Sequence, residues 1–393
     1  MSTYKMTCPG CGRKVEGDPA LAGTDVVCPS CSRQFKAPTL LKPASAQGAE
    51  GAPSGGGDAV STVKDLGHKF MHQVTQLAGE DRIEGFSFKQ LFSEVFARHA
   101  SQEVEEYFTV GTSRTTPDIA AVDPSWPHPW VFFRTFVGAL IVYLVFLLAY
   151  NQYGNINLVP GLIIVGSFAV PLSMVILFVE INARKNVSLY QVVRLIFAGG
   201  VLGLVLSLIL YSVTDTMKLY WLGDTIAGLV EEPGKLLAVL LVINSMWHRY
   251  ILNGLLFGAA IGAGFAAFES AGYALHIGLQ NTAAMTHNIM TRGMLSPFGH
   301  VAWTAMSAAA LWKVLGPERF RFSMVKDLRF LRIFAIAIAL HMIWDWSFDL
   351  PFYGKYLILG AVAWIIIIAL IQDGLKQLRE EKEAAASAPP GAI

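Results

Sequence analysis

From Trp130 onward the sequence consists mainly of apolar stretches that are long enough to cross a lipid bilayer as helices. A transmembrane helix needs about 20 predominantly apolar residues. Eight stretches near that length follow one another, at residues 130–150, 158–181, 190–213, 225–245, 251–276, 297–315, 330–349 and 353–371. The sequence therefore predicts an all-α polytopic membrane protein with about eight transmembrane helices in the lipid bilayer.

The composition agrees with a membrane protein and argues against a protein that binds nucleic acid. Hydrophobic residues make up 53% of the 393 residues, charged residues make up 15%, and the mean hydropathy is +0.47. The net charge is only +1, whereas a domain that binds nucleic acid normally carries a strongly basic face. No nucleic-acid partner is expected.

The lysines and arginines between the spans predict the orientation of the chain, because cytosolic loops are enriched in basic residues. One set of loops and the C-terminal end contain Arg184, Lys185, Arg194, Arg249, Lys313, Arg319, Arg321, Lys326, Arg329, Arg332, Lys376, Arg379 and Lys382. The opposite loops contain only Lys218, Arg292 and Lys355. Both termini are therefore predicted to lie in the cytosol, and this architecture suits the inner membrane of a bacterium.

All four cysteines lie near the N-terminus, as CPGC (Cys8, Cys11) and CPSC (Cys28, Cys31), with 16 residues between the two pairs. Two such pairs can supply four thiolates to a tetrahedral zinc ion. Disulfides are the alternative, but no secretory signal follows Met1, and thiols stay reduced in the cytosol. Residues 1–36 are therefore predicted to form a zinc ribbon with a structural zinc ion, and a cytosolic protein is its candidate partner. A site with four protein ligands has no open position and is not expected to be catalytic.

The residues between the cysteines and the first span divide into two parts. Residues 37–60 are rich in Pro, Gly, Ala and Ser, which is typical of a flexible linker. Residues 61–128 are predicted to form a short cytosolic helical segment that either packs on itself or on the membrane face, or binds another protein. The transmembrane domain is predicted at 129–372, and a cytosolic tail at 373–393.

Few ionisable residues lie inside the predicted spans. These residues are functional candidates, because a charge at the bilayer centre costs about 2.5–3.5 kcal/mol or more. They are Glu231, Glu232, Lys235, Glu269, His300, His341 and Asp345. With the predicted orientation, all of them fall in the outer half of the membrane, so the candidate site lies toward the outer leaflet.

Spacing within the spans gives these residues a further order. Residues four apart share one face of a helix, so Glu231 aligns with Lys235 and His341 aligns with Asp345. Glu232 points about 100° away from Glu231, and the two neighbours are expected to have different roles. Ion pairs that fix helix packing are the simpler interpretation of any single residue. The whole set at one level of the membrane favours a hydrolytic site.

In these residues the chain resembles the PrsW family of intramembrane proteases, within the superfamily that includes the CAAX prenyl proteases. The motifs that carry the resemblance are EEPGK (231–235), FAAFE (265–269), FGHVAWT (298–304) and HMIWD (341–345). The resemblance covers residues 130 to 372 and does not extend to the predicted zinc ribbon or the linker. It implies an intramembrane endopeptidase that hydrolyses peptide bonds of membrane-embedded proteins near the membrane surface. Members of the family are associated with cleaving anti-sigma factors, and a single-span membrane protein is the expected substrate.

The glutamates of the first motif have the chemistry for activating water. A carboxylate in an apolar, partly dry cavity can act as a general base. Glu231 is the predicted base, Glu232 would assist or orient it, and Lys235 would balance their charge. The residues leave open which of the two glutamates activates the water.

The histidines complete this hypothesis. His300 and His341 are predicted to hold the water or the oxyanion, Asp345 to position His341, and Glu269 to complete the network. The CAAX prenyl proteases usually carry a histidine where this chain has Glu269, so their detailed mechanism does not carry over. The same side chains are good zinc ligands, but no HExxH sequence is present. Glutamate-type chemistry without a catalytic cofactor is therefore expected, with a metal-dependent protease as the alternative.

Two non-enzymatic functions are left as alternatives. A transporter or proton channel would use acidic and histidine side chains as a relay, and a membrane sensor would bind a partner without turnover. A relay would step from one face of the membrane to the other, whereas the candidate residues lie at one level.

Overall fold

The computed structural model divides into two compact units, residues 1–61 and residues 62–393. The described residues are 4–7, 14–17, 24–29, 31, 34–36, 57–242 and 248–387. The predicted zinc ligands Cys8 and Cys11 lie outside them.

The N-terminal unit contains two antiparallel hairpins. Strands β1 (Tyr4–Thr7) and β2 (Lys14–Gly17) form the first, and β3 (Asp25–Val27) and β4 (Gln34–Lys36) form the second. In the sequence, one CxxC pair falls between the two strands of each hairpin. Cys28 is buried, and its partner in the pair, Cys31, is exposed. The zinc ribbon and its structural zinc stay predictions.

The rest of the described chain is helical, as predicted. Its α-helices are α1 (Gly57–Ala78), α2 (Phe88–Leu91), α3 (Ser101–Thr109), α4 (Val131–Tyr153), α5 (Val159–Ile181), α6 (Leu189–Arg194), α7 (Gly200–Thr216), α8 (Ile226–Val242), α9 (Ile251–Gly278), α10 (Thr282–Leu295), α11 (His300–Leu315), α12 (Leu328–Trp344) and α13 (Gly354–Ser387). A π-helical turn at Leu195–Gly199 joins α6 to α7 without a break.

Five helical segments of the described chain are long and apolar enough to cross a membrane. They are Val131–Tyr153, Ile156–Ile181, Leu189–Thr214, Ile251–Gly278 and Pro351–Ser387. The other three predicted spans coincide with α8, α11 and α12, which are only 17, 16 and 17 residues long. The protein is therefore a polytopic helical membrane protein, and the total of eight spans stays a prediction.

Some element boundaries differ from those expected from the sequence. The connection between α9 and α11 contains a further helix, α10 (Thr282–Leu295). The sequence did not predict this helix, because it is too polar to resemble a membrane span. Helix α13 continues to Ser387, past the predicted domain boundary at residue 372. Helix α1 begins at Gly57, inside the predicted linker.

Helix α9 forms the centre of the bundle. In its most apolar stretch 94% of the residues are buried by other parts of the protein, against 11% in α4. Helices α5 and α11 pack along α9. An apolar helix buried on every side belongs in the core of a bundle, whereas α4 leaves most of its apolar surface exposed, as expected of a helix that faces lipid.

Glycines on α9 let two neighbouring segments approach its backbone closely. A methyl group on Gly262 would lie 2.4 Å from the carbonyl oxygen of His300, the first residue of α11. On the other side, a methyl group on Gly264 would lie 1.9 Å from the carbonyl oxygen of Ile196 in the π-helical turn. Small residues at such positions are a common means of helix packing in membranes. This packing sets the position of His300 relative to α9.

The segment before α4 packs on the ends of the membrane helices. Lys313 of α11 donates to both carboxylate oxygens of Glu80, each at 2.9 Å, and also to Asp373 of α13. Gln372 of α13 accepts from the backbone nitrogen of Glu84 at 2.6 Å. These contacts place residues 62–128 in one compact unit with the helix bundle.

The buried carboxyl group of Glu80 predicts a pH dependence of this packing. Burial, together with the neighbouring Asp373, raises the pKa of Glu80 from its ordinary value of 4.5 to about 8, while Lys313 opposes the shift. The packed segment therefore keeps a proton that the released segment loses at lower pH. The packing is expected to weaken as the pH rises from 4.5 to about 8 and to stay constant above that. Hydrogen exchange of residues 66–83, corrected for the intrinsic exchange rate, measures this loss of protection.

Two substitutions control the experiment. Glu80→Gln is expected to remove the pH dependence, because the amide does not titrate. Glu84→Gln changes an exposed acid four residues later and is expected to leave the dependence intact. A pH dependence that persists in Glu80→Gln would show that another group is responsible.

Candidate active site

A cavity of about 570 Å³ lies at the end of the bundle where α8 and α11 begin and α12 ends. Five of the seven predicted catalytic residues line it, namely Glu231, Glu269, His300, His341 and Asp345. The other two, Glu232 and Lys235, are 1% and 0% exposed and lie behind the cavity wall. The contacts agree with the predicted convergence of four separate spans on one site.

The two neighbouring glutamates of α8 face different surroundings, as their helical spacing predicts. Glu231 lines the cavity, and its Oε1 accepts a hydrogen bond from the Tyr211 hydroxyl of α7 at 3.2 Å. Glu232 points into the protein and contacts Lys235 at 2.6 Å and His341 at 2.9 Å. Glu231 is therefore the glutamate that a molecule in the cavity can reach.

Lys235 is a buried cation at the centre of the site. Its Nζ lies 2.6 Å from Glu232 Oε1, 3.8 Å from Glu231 Oε2 and 2.9 Å from His300 Nδ1. The ammonium also lies 4.5 Å above the ring of Phe265, within the range of a cation–π interaction. The two carboxylates and the aromatic ring offset the desolvation of this charge.

His300, at the first turn of α11, is held by an acid on α9. Its Nε2 lies 3.1 Å from Glu269 Oε2. The same carboxylate oxygen accepts from Arg292 of α10, whose Nε donates to Ser270 Oγ at 2.8 Å. Glu269 is paired with the Arg292 cation, so we assign it as an ionised carboxylate that accepts a hydrogen bond from His300. This assignment places the ring proton of His300 on Nε2. His300 Nδ1 then carries the lone pair, which faces Lys235 Nζ at 2.9 Å.

His341, near the end of α12, is held in a similar way. Its Nδ1 lies 2.9 Å from Glu232 Oε1, and its Nε2 lies 3.2 Å from Asp345 Oδ2, one helical turn later. The buried indole of Trp303 stacks on the imidazole, with 4.4 Å between ring centroids. The ring is therefore fixed in position and orientation.

Both imidazoles present a nitrogen to the same atom, Glu231 Oε2. The distance is 3.9 Å from His300 Nδ1 and 3.8 Å from His341 Nε2. Glu231 Oε2 is buried and has no hydrogen-bond partner among the described residues. Buried polar atoms are normally satisfied by protein or water. Glu232 Oε2 also lacks such a partner, but of the two glutamates Glu231 lines the cavity, so its carboxylate is the candidate partner of a water molecule there.

Sequence reasoning missed three side chains of this site. Tyr211 lies outside every motif, and no local pattern indicates that its hydroxyl meets Glu231. Arg292 was counted only as a loop charge, because α10 was not predicted. Trp303 lies inside the third motif, FGHVAWT, but its stacking on His341 depends on how α11 and α12 pack.

Residues 188–377 match a family model described as PrsW family intramembrane metalloprotease. This part of the chain is a PrsW-family domain. It contains all four motifs and begins with α6, so α4 and α5 precede the match. No significant match was found among curated proteins or among solved structures.

The match to the PrsW family supports an intramembrane protease, a class of hydrolase whose substrates are membrane proteins. The match extends neither to the two hairpins nor to the segment that packs on α11 and α13.

The close approach of α9 and α11 in the PrsW-family domain makes a testable prediction. Gly262→Ala places a methyl group 2.4 Å from the His300 carbonyl oxygen, so α11 must shift and His300 must move away from Glu269. We expect a loss of stability of about 1–3 kcal/mol from the overpacking and at least about a tenfold loss of proteolysis from the misplaced histidine. Thermal unfolding and the rate of fragment formation measure the two effects.

Gly272→Ala is the matched control on the same helix. Nothing lies within 4 Å of a methyl group at Gly272, so stability and proteolysis are expected to stay unchanged. Equal effects of the two substitutions would show that helix propensity, and not the approach to His300, is responsible.

Proposed function

We propose that the chain is an intramembrane endopeptidase in which Glu231 activates the water molecule that attacks the peptide bond. The observation that carries this proposal is that Glu231 lines the cavity, with its Oε2 3.8–3.9 Å from two fixed imidazoles and without a hydrogen-bond partner among the described residues. A membrane-embedded protein, cut near the membrane surface, is the proposed substrate. Anti-sigma factors are one class of such proteins.

The contacts support a stepwise mechanism with the reacting water on Glu231 Oε2. Glu231 accepts a proton from the water, and the oxygen bonds to the scissile carbonyl carbon. His341 stabilises the charge on the carbonyl oxygen, and His300, whose Nδ1 faces Glu231 and Lys235, helps to position the water. When the C–N bond breaks, the proton on Glu231 passes to the departing amine.

The remaining residues position this machinery. Tyr211 holds Glu231 Oε1 and so directs Oε2 toward the imidazoles. Glu232 and Asp345 fix His341, and Glu269 fixes His300. Lys235 balances the negative charge of the two neighbouring glutamates.

A metal-dependent mechanism uses the same side chains, and the residues fit a metal ion. Glu231, His300 and His341 each offer one ligand atom, and these atoms lie within 4.8 Å of one another. Ligands of tetrahedral zinc lie about 3.3–3.4 Å apart, somewhat closer than the 3.8–3.9 Å found here. Each imidazole also has a carboxylate on its other nitrogen, as metal-bound histidines commonly do. When bound, such an ion would act as a Lewis acid on the scissile carbonyl.

One contact favours the metal-free form. Lys235 Nζ lies 2.9 Å from His300 Nδ1, so an ammonium group there occupies the lone pair that a metal would need. We therefore propose glutamate-type catalysis without a catalytic metal. The family description names a metalloprotease, and the two mechanisms predict different metal contents.

Elemental analysis of the purified full-length protein separates the two mechanisms. If the catalytic site holds no metal, wild type and His341→Ala are expected to contain the same amount of zinc. Cys28→Ser with Cys31→Ser is the control, because it removes two predicted ligands of the structural zinc. A loss of one metal equivalent in His341→Ala would contradict the metal-free mechanism. Chelation alone is a poor test, since it would also strip a zinc ribbon.

The proteolytic function itself is tested by co-expression with a library of single-span membrane proteins. Wild type is compared with Glu231→Gln, and only fragments absent from the variant count as products. Glu318→Gln, an exposed acid in the connection after α11, is the matched control and is expected to give the wild-type fragments. Identical fragments with wild type and Glu231→Gln would contradict the proposal.

A further inference from the structure

The connection between α12 and α13 forms one wall of the cavity. We call residues 346–353, WSFDLPFY, the aromatic loop. Trp346, Ser347 and Asp349 of this loop line the cavity. The catalytic chemistry uses none of its large apolar side chains, so their arrangement needs another explanation.

A buried lysine holds the base of the aromatic loop. Lys355, only 4% exposed, donates to the carbonyl oxygen of Trp346 at 2.9 Å and pairs with Asp349 at 3.5 Å. Its ammonium lies 5.2 Å from the ring centroid of Phe348. The loop therefore has a defined conformation against the cavity wall.

The outer part of the loop turns aromatic side chains away from the protein. Phe352 and Tyr353 adopt left-handed backbone conformations, with φ of 55° and 58°. This conformation costs a residue other than glycine about 1–2 kcal/mol. Phe352 is nevertheless 93% exposed, and Trp346 is 57% exposed. A strained backbone that exposes aromatic rings indicates that these rings contact a partner outside the chain.

The position of the loop points to lipid as this partner. The apolar segment long enough to cross a membrane begins at Pro351, so Phe352 and Tyr353 lie at its very start. The exposed apolar surface continues along α13 through Leu357 and Ile358. Aromatic side chains at the end of a membrane span are typical of the headgroup layer.

A second connection beside the cavity shows the same feature. Gly223 and Asp224, between α7 and α8, line the cavity. Trp221, two residues before Gly223, is 77% exposed. Exposed indole rings thus flank the cavity on two separate segments, as expected for a cavity at the level of the headgroups.

We propose that the aromatic loop is inserted into the headgroup layer of the bilayer and that the cavity opens at this depth. The insertion itself does not depend on the enzymatic activity. Its consequence for substrates rests on the proposed function: the cleaved bond lies in an extended segment that crosses the headgroup layer, and not in a helix deep in the hydrocarbon core.

Photo-crosslinking in the full-length protein tests the insertion. p-Benzoylphenylalanine replaces Phe352 or Trp346, the protein is reconstituted in phosphatidylcholine vesicles, and intact mass is measured after irradiation. Both positions are expected to gain the mass of one phospholipid. Fragmentation is expected to place the bond on the glycerol or the upper acyl carbons.

Two further positions calibrate the measurement. Val145, 59% exposed in the middle of α4, is expected to react with lower acyl carbons, and the fully buried Phe257 with no lipid. The proposal is overturned if Val145 reacts with lipid while Phe352 and Trp346 do not, or if their adducts are with a second copy of the chain or another protein. Crosslinking measures no cleavage, so the two proposals fail separately. Identical fragments from wild type and Glu231→Gln in the co-expression experiment would overturn the proposed function, and a lipid adduct would still leave the insertion standing.

Discussion

Glu231→Gln is expected to abolish proteolysis while the protein stays folded. The amide cannot accept the proton of the attacking water, and the loss of a positioned general base costs about 10²–10⁴-fold in rate. The fold is expected to survive because glutamine has the same shape and its carbonyl oxygen can still accept from Tyr211. Glu231 Oε2 has no hydrogen-bond partner among the described residues, so no hydrogen bond of that atom is lost, and Lys235 keeps its closer partner Glu232 at 2.6 Å. The measurement is the rate of fragment formation per amount of folded protein.

Glu232→Gln is the informative comparison, because it changes the adjacent residue in the same way. Glu232 is buried against Lys235 and His341, so its amide variant is expected to lower the unfolding temperature as well as the rate. Glu231→Gln is expected to lower the rate alone. Retention of more than about a tenth of the wild-type rate in Glu231→Gln would assign the base to another residue.

Lys235→Met is expected to destabilise the protein more than any other substitution in the site. Methionine has a similar length, but it leaves the buried carboxylate of Glu232 without its cation, which lies 2.6 Å away in the wild type. Breaking a buried ion pair from one side typically costs about 3–5 kcal/mol. Thermal unfolding in detergent and the yield of folded protein from membranes measure the loss.

The double variant Glu232→Gln with Lys235→Met separates charge from packing. It removes the uncompensated carboxylate, so much of the stability is expected to return, although the contact with His341 and the activity are not restored. If the double variant is as unstable as the two single losses added together, the two groups do not interact and the ion pair is not the cause.

Local helix geometry explains what could be predicted of the site. Residues four apart meet on any helix, and the structure has Glu231 within 3.8 Å of Lys235 and His341 within 3.2 Å of Asp345. The alternation of basic loops along the chain predicted that separate spans meet at one level. The 3.1 Å contact between His300 and Glu269 agrees with this prediction.

Contacts that depend on connections and turns could not be predicted. Helix α10 is short and polar, so no hydrophobic period indicated it, and the pairing of Arg292 with Glu269 was missed with it. The exposure of Phe352 and Tyr353 in the aromatic loop depends on their left-handed backbone conformation. Phenylalanine and tyrosine normally avoid this conformation, so the sequence did not predict it.

The sequence by itself determined the membrane-spanning character and the helical class, and it predicted the set of seven ionisable residues and the different directions of Glu231 and Glu232. Only the tertiary structure decided which glutamate lines the cavity. Helical periodicity sets the angle between neighbours, but the rotation of α8 is set by its packing. Gly228 lies against the backbone of α12 and Gly234 against Ser207 of α7, where added methyl groups would come within 2.8 and 2.5 Å. These close contacts turn Glu232 toward Lys235 and His341 and leave Glu231 facing the cavity.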